Sequence, residues 1–223
     1  MRASLRRLLA RLGPRRLWRR LDRKNKRRLC VVAGVVVLSA PLLSINVLVS
    51  VLGHSLVFPL SPFFLREKMA ALRTYAAHRA TCWISGHPDI GPLIASAELR
   101  YRLPRGLLAA IVDVESKGRP HRISAAGAMG PTQLMPDTAR LLQVSDPFDS
   151  AAAVDGAARL MRRHLDHFHA LRLAIAAYHA GPAAVTNGVP QNGMTPGYVA
   201  RVMTAYLALR PRRPSHVPRT GTG

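Results

Sequence analysis

Between Arg28 and Arg66 the chain carries no charged side chain. The run reads LCVVAGVVVLSAPLLSINVLVSVLGHSLVFPLSPFFL, with His54 its one imidazole. As a helix, residues 29–53 would reach ~37 Å at ~1.5 Å per residue, more than the ~30 Å of a bilayer's hydrocarbon core. A cleaved secretory signal has an apolar region of only ~7–15 residues and a small-x-small site. The one candidate site here, Leu38-Ser39-Ala40, runs straight into Pro41. The stretch 29–53 therefore predicts an uncleaved transmembrane signal anchor, with Pro41 as a site for a kink. A second span would need about twenty further apolar residues plus a turn, so one crossing is expected.

The charge distribution sets an orientation. Of the net +22, residues 1–28 supply +12, from thirteen Lys/Arg and the single acid Asp22, and the tail 210–223 adds four Arg. The remaining +6 is ordinary for a domain, so the basicity does not mark a nucleic-acid-binding core. Only Arg66, Lys68 and Arg73 lie close behind the apolar run. The cations in front predict a cytoplasmic amino end and an extracytoplasmic remainder, periplasmic in a bacterium and held on the inner membrane. Within the arm, Leu5, Leu8, Leu9 and Leu12 make one face of a basic amphipathic helix suited to anionic lipids. Trp18 is the arm's only aromatic residue, so nucleic acid is not expected as a partner. A bare topology signal with no specific ligand is the simplest account of the arm and ranks ahead of lipid binding.

The domain plan is then a basic cytoplasmic arm (1–28), the anchor (29–53) and a juxtamembrane linker with a helix over 63–84 (54–87). An all-α domain (88–209) and a disordered basic tail (210–223) follow. From 89 onward, short amphipathic helices alternate with Gly/Pro turns, and no convincing alternating strand occurs. With Cys30 at the start of the anchor and Cys82 behind it, the two lie in different compartments and are expected as two unpaired thiols. His164, His167 and His169 cannot converge on a metal from one helix, and they predict an exposed polar face. No metal or other cofactor is implied, and protein partners are not specified.

Chemistry concentrates at one acid. A helix expected to start at Pro104 and stop near Gly118 places Leu108, Ile111, Val112 and Glu115 at i, i+3, i+4 and i+7. Glu115 therefore stands on the apolar stripe, while Asp113 points about 200° round the wheel. Lost hydration and the negative helix end both raise a carboxyl's pKa. A protonated carboxyl near neutrality is what a departing glycosidic oxygen requires. Periodicity alone equally allows a solvated Glu115, or one paired with Arg119.

Downstream stand Ser124-Ala-Ala-Gly127-Ala-Met-Gly130-Pro-Thr-Gln133-Leu-Met-Pro136 before a helix over 137–144, then Ala177-Tyr178-His179-Ala180-Gly181. Thr195-Pro196-Gly197-Tyr198-Val199 comes last. Together with Glu115-Ser116, these blocks resemble the lytic transglycosylase domain of the SLT, goose-lysozyme-like type, over about 88–206. The resemblance implies a lysozyme-like helical fold and peptidoglycan glycan strands as substrate. It makes Glu115 the catalytic acid/base and Ser124 a holder of the sugar's N-acetyl group. Gln133, Met135, His179 and Tyr198 become substrate-binding cleft positions, and Tyr178 the tyrosine beside the catalytic Glu. Taken alone, Tyr178 would pass as a core tyrosine on the stripe Leu171, Ala174, Ile175.

Members of that family cleave the β-1,4 bond between N-acetylmuramic acid and N-acetylglucosamine. The domain offers no second carboxylate at the spacing a retaining glycosidase needs, which suits a single-Glu route to 1,6-anhydro ends. Three departures stand out: Pro131-Thr132 for Leu-Met, Ala153 for an Asn before a helix over 154–169, and His179 for Asn. They keep open a catalytically weakened wall-binding or assembly protein. A lysozyme-type muramidase is the other alternative.

Overall fold

The computed structural model describes residues 22–53, 56–82, 89–186 and 188–210. The Leu5–Leu12 amphipathic face and the tail beyond Arg210 lie outside them. Among the described residues the fold is all-α. A single helix, α1 (Arg23–Gly53), is long and apolar enough to cross a membrane. It begins six residues ahead of the expected anchor, with Asp22 Oδ1 accepting the Arg23 amide at 2.7 Å, and it continues through Pro41. Cys30 is a free, exposed thiol.

Behind it come α2 (Leu65–Cys82), α3 (Ile90–Arg100), α4 (Leu107–Ser116), α5 (Pro136–Leu141), α6 (Ser150–Phe168), α7 (Leu171–Ala180) and α8 (Thr195–Leu209). Several begin on side-chain caps of the usual chemistry. Asp89 accepts the Gly91 amide, Asp149 the Ala152 amide, and Asn192 the amides of Met194 and Thr195.

The central helix, α4, is capped differently. Pro104 is not its first residue, because Gly106 adopts a left-handed conformation (φ 86°) that delays the start to Leu107. The freed amides of Gly106, Leu108 and Ala109 instead donate to the buried carboxylate of Glu98, on α3, at 2.8, 2.8 and 3.3 Å. A negative group at a helix N-terminus satisfies both the orphan donors and the dipole. The helix stops at Lys117, one residue before Gly118, also in the left-handed region (φ 59°).

Two cores result. The first surrounds α4: Leu107, Leu108 and Ile111 pack against Met161 of α6, Ile175 of α7 and Val199 and Val202 of α8. The second lies beneath the loop between α4 and α5. It joins Ile123, Met129, Leu134, Leu142 and Phe148 to Val49 of α1 and Ala71 of α2. A division at residue 88 would therefore run through this second core. Isolated bridges Ile123–Met129 and Met129–Leu134 hold the loop. A Cβ at Gly130 would collide with the Pro147 carbonyl.

Helix ends differ from those expected. The expected 63–84 helix is seen over Leu65–Cys82, with 83 and 84 outside the described residues; the 137–144 helix is Pro136–Leu141, and the 154–169 helix is Ser150–Phe168. In the last case Asp149 caps an earlier start and His169 closes the helix in the left-handed region. His164 departs from the expected exposed face. It is buried, one turn beyond core residue Met161, while His167 and His169 are exposed.

Candidate active site

Glu115 lies in the last turn of α4, where the helix leaves the core and meets a cleft of about 270 Å³. The cleft is lined by Glu115, Ser124, Ala126, Ala128, Gln133, Leu134, Met135, Thr138, Leu160, Tyr178 and His179. Glu115 is the only acid in that lining. A larger hollow of about 370 Å³ lies between α2 and α5. Its only charged side chain, Arg140, pairs with Asp137, so it offers no proton chemistry.

Tyr198, buried on α8, donates its hydroxyl to Glu115 Oε1 at 2.7 Å. The other carboxyl oxygen is left without a protein partner among the described residues. Burial pushes the Glu115 pKa up from 4.5 to about 7; the Tyr198 bond and the cations Arg122 and Arg201 pull the other way and do not cancel it. Near neutrality the group can therefore both hold and release a proton. The phenols of Tyr178 and Tyr198 are raised well above 10 by burial, with the charge of Glu115 adding to the effect. Both remain neutral donors.

The structure brings Glu115, Ser124, Gln133, Met135, Tyr178 and His179 around one cleft and sets Tyr198 directly behind the acid. Tyr178 lines the same cleft as Glu115, but the two tyrosine hydroxyls have different partners. Tyr198, not Tyr178, bonds the carboxyl, while the Tyr178 hydroxyl donates to the Thr132 carbonyl at 2.9 Å. The reason is chain geometry: α8 packs along α4, whereas the tip of α7 faces the loop.

Several loop residues are already engaged. Ser124 Oγ accepts the Ala128 amide at 2.9 Å, which leaves its own proton to give. Gln133 spends its amide on the carbonyls of Arg122 and Gly130, at 3.1 and 2.8 Å, and keeps its carbonyl oxygen. His179 stacks on Tyr198 with ring centroids 4.4 Å apart and planes 15° apart. Burial and then Arg201 lower its pKa, so it is a neutral imidazole.

Ser116, which the sequence marked only as half of a Glu-Ser pair, is fully buried and donates to the Pro131 carbonyl at 2.6 Å. With Tyr178 it pins both carbonyls of Pro131-Thr132, fixing the cleft loop against α4. Ala153 is fully buried and accepts from Thr132 Oγ1 at 3.3 Å. Neither Thr132 nor Ala153 lines the cleft. Sequence reasoning missed Arg122 and Arg201, although Arg201 falls one turn after Tyr198 on α8. Asp113, expected off the stripe, pairs at the surface with Lys117 at 2.9 Å.

Residues 92–199 match the family model of the transglycosylase SLT domain. Over that segment, just under half of its length, the chain is similar to the transglycosylase SLT domain family. It is 38% identical over 110 residues to a protein named transglycosylase from Enterobacteria phage PRD1, covering 49% of this chain and 40% of the phage protein. A solved inactive variant of lytic transglycosylase Slt from Pseudomonas aeruginosa matches with TM-score 0.48 and 18% identity, over 66% of this chain and 30% of that one. The chain thus spans well under half the length of either relative.

Proposed function

We propose that the protein is a peptidoglycan lytic transglycosylase that cleaves the β-1,4 bond between N-acetylmuramic acid and N-acetylglucosamine with Glu115 as its one acid/base. The observation that carries the reading is a lone carboxyl, held near pKa 7 by burial, at the floor of the SLT-family cleft. Protonated Glu115 gives its proton to the glycosidic oxygen as that bond breaks. The substrate's N-acetyl carbonyl forms a bond to the anomeric carbon. Glu115, now a carboxylate, takes the proton of the sugar's 6-hydroxyl. The 6-oxygen then displaces the acetamido oxygen, leaving a 1,6-anhydro end without consuming water. The same group acts as acid and then as base, as reversibility allows. Ser124's free proton and the Gln133 carbonyl suit the substrate's acetamido group, and Met135 supplies an apolar wall.

The apolar α1 with its basic flank supports a single-pass anchor with the amino end cytoplasmic and the cleft outside. Anionic lipids are the partner proposed for the arm. The sequence-based case for a weakened enzyme narrows to His179, since Ala153 is buried away from the cleft. In the test, full-length protein in detergent is incubated with sacculi and the products are read by mass spectrometry. Parent protein releases anhydromuropeptides. Glu115→Gln folds and loses activity by about 10²–10⁴-fold, the usual worth of general acid–base catalysis. Undiminished release by that variant rejects Glu115. Reducing ends in place of anhydro ends identify a muramidase.

A further inference from the structure

The outer end of α1 is half covered by its own chain. Asn46, Val49 and Gly53 are buried, while Val47, Leu48 and Val51 on the opposite side are exposed. The Asn46 side chain is a knot: Nδ2 donates to the carbonyls of Leu42, Pro59 and Ser61 at 2.9, 2.9 and 3.0 Å. Its Oδ1 accepts from the buried Lys68 ammonium at 2.7 Å.

Asn46 lies seven residues before Gly53, about 10 Å back along the helix axis. Bonding Pro59 and Ser61 at that level means that the connector after α1 doubles back alongside it. The connector presents Leu56, Phe58, Leu60, Phe63 and Phe64, with Leu56 wholly exposed and Phe58 and Phe63 exposed by 73% and 74%. They stand at the depth where α1 itself shows exposed Leu43, Val47 and Leu48. Counting from Leu29, a ~30 Å hydrocarbon layer ends about twenty residues on, near Val49. The aromatic connector therefore sits at the outer boundary of that layer, where amphipathic and aromatic side chains collect.

We propose that residues 56–64 form a wedge seated in the outer leaflet beside the anchor, with lipid as its occupant. The proposal rests on reading α1 as a membrane span. It fixes the height of the cleft. α2 starts directly after the wedge, and the Gly127 backbone rests directly on Glu67 and Lys68: a Cβ there would come within 2.6 Å of the Glu67 carbonyl carbon. Gly127 belongs to the Ser124–Gly130 loop that walls the Glu115 cleft. The cleft is thereby held at headgroup level, and the glycan it reaches is the strand lying against the membrane rather than distant wall.

Nitroxide labels placed by Val36→Cys, Phe63→Cys or Leu141→Cys, each in a Cys30→Ser/Cys82→Ser chain, test this in phosphatidylethanolamine/phosphatidylglycerol vesicles. Label accessibility is read against oxygen and a water-soluble nickel chelate. Position 63 is expected to be shielded from nickel several-fold more than position 141, approaching position 36. Equal nickel access at 63 and 141, with 36 shielded, overturns the wedge and leaves the anchor standing. Nickel access at 36 overturns both. Dipolar broadening at 63 that disappears on dilution with unlabelled chain would put a second copy on the patch and overturn lipid as its occupant.

Discussion

The two cores of this protein solve different problems. The first packs α3, α4, α6, α7 and α8 around Ile111 using only residues after Ile90, and it fixes the helix that carries Glu115. The second supports the loop facing that acid, and it draws Val49 from the anchor and Ala71 from the juxtamembrane helix. Glu115, the proposed proton donor, thus belongs to a self-contained bundle. The wall opposite belongs to a platform completed by the membrane-proximal helices. Matching an SLT domain over 92–199 covers most of the first core, up to Val199, and leaves out Val49 and Ala71 of the second. An active site can therefore be recognisable as a domain and still depend on chain outside it.

The most severe way to break this contrast is to cut the chain at residue 88. The 88–209 fragment should keep hydrogen-exchange protection in α4, α7 and α8 but lose it over 122–134. Its activity on sacculi should fall about 10²-fold, because small displacements of positioning groups cost that much. A fragment as active as the full chain would show that the platform stands alone. Next in size is Phe148→Ala. This ring is fully buried, edge-on to Tyr75 of α2 at 5.3 Å. Its loss should cost about 3–5 kcal/mol and loosen the loop before the bundle. Ile111→Ala, costing about 2–5 kcal/mol, should melt both together. Identical exchange patterns for the two variants would merge the cores into one.

The same contrast explains what the sequence made legible. Helical periodicity is local, so the stripe Leu108–Ile111–Val112–Glu115 announced both the buried helix and its acid. The partner of that acid was not local. Tyr198 and Tyr178 both sit on inward stripes, and only the packing of α8 along α4 decides which hydroxyl reaches Glu115. Glu98 capping α4 from another helix left no signal at Gly106 beyond the glycine itself. The second core was hidden because its pieces, Val49, Ala71 and Ile123, read separately as a span, a linker helix and a loop.

Titration sharpens the picture at the acid. The folded pKa of Glu115, about 7, lies above its ordinary 4.5. The group therefore contributes its stability in full below about pH 4.5 and loses it as pH rises through 7. Burying the ionised form costs on the order of 3 kcal/mol at pH 8. Glu115→Gln removes that cost, so its Tm relative to the parent should climb between pH 5 and 8. A constant difference across that range would mean that the carboxyl is solvated in the folded protein.

The smallest expected effect isolates the one bond that joins α8 to the acid. Tyr198 donates to the ionised carboxyl and so holds its pKa lower than burial alone would. Tyr198→Phe keeps the ring against His179 and removes about 1 kcal/mol of hydrogen bonding. The alkaline limb of the kcat/KM profile, where the proposed acid Glu115 loses its proton, should move up by about 0.7 pH unit. Activity at pH 8 should fall less than the lost donor alone would suggest, since more of the enzyme keeps its acid form. If the limb stays in place, Arg122 and Arg201, rather than Tyr198, set the upper working limit of the acid.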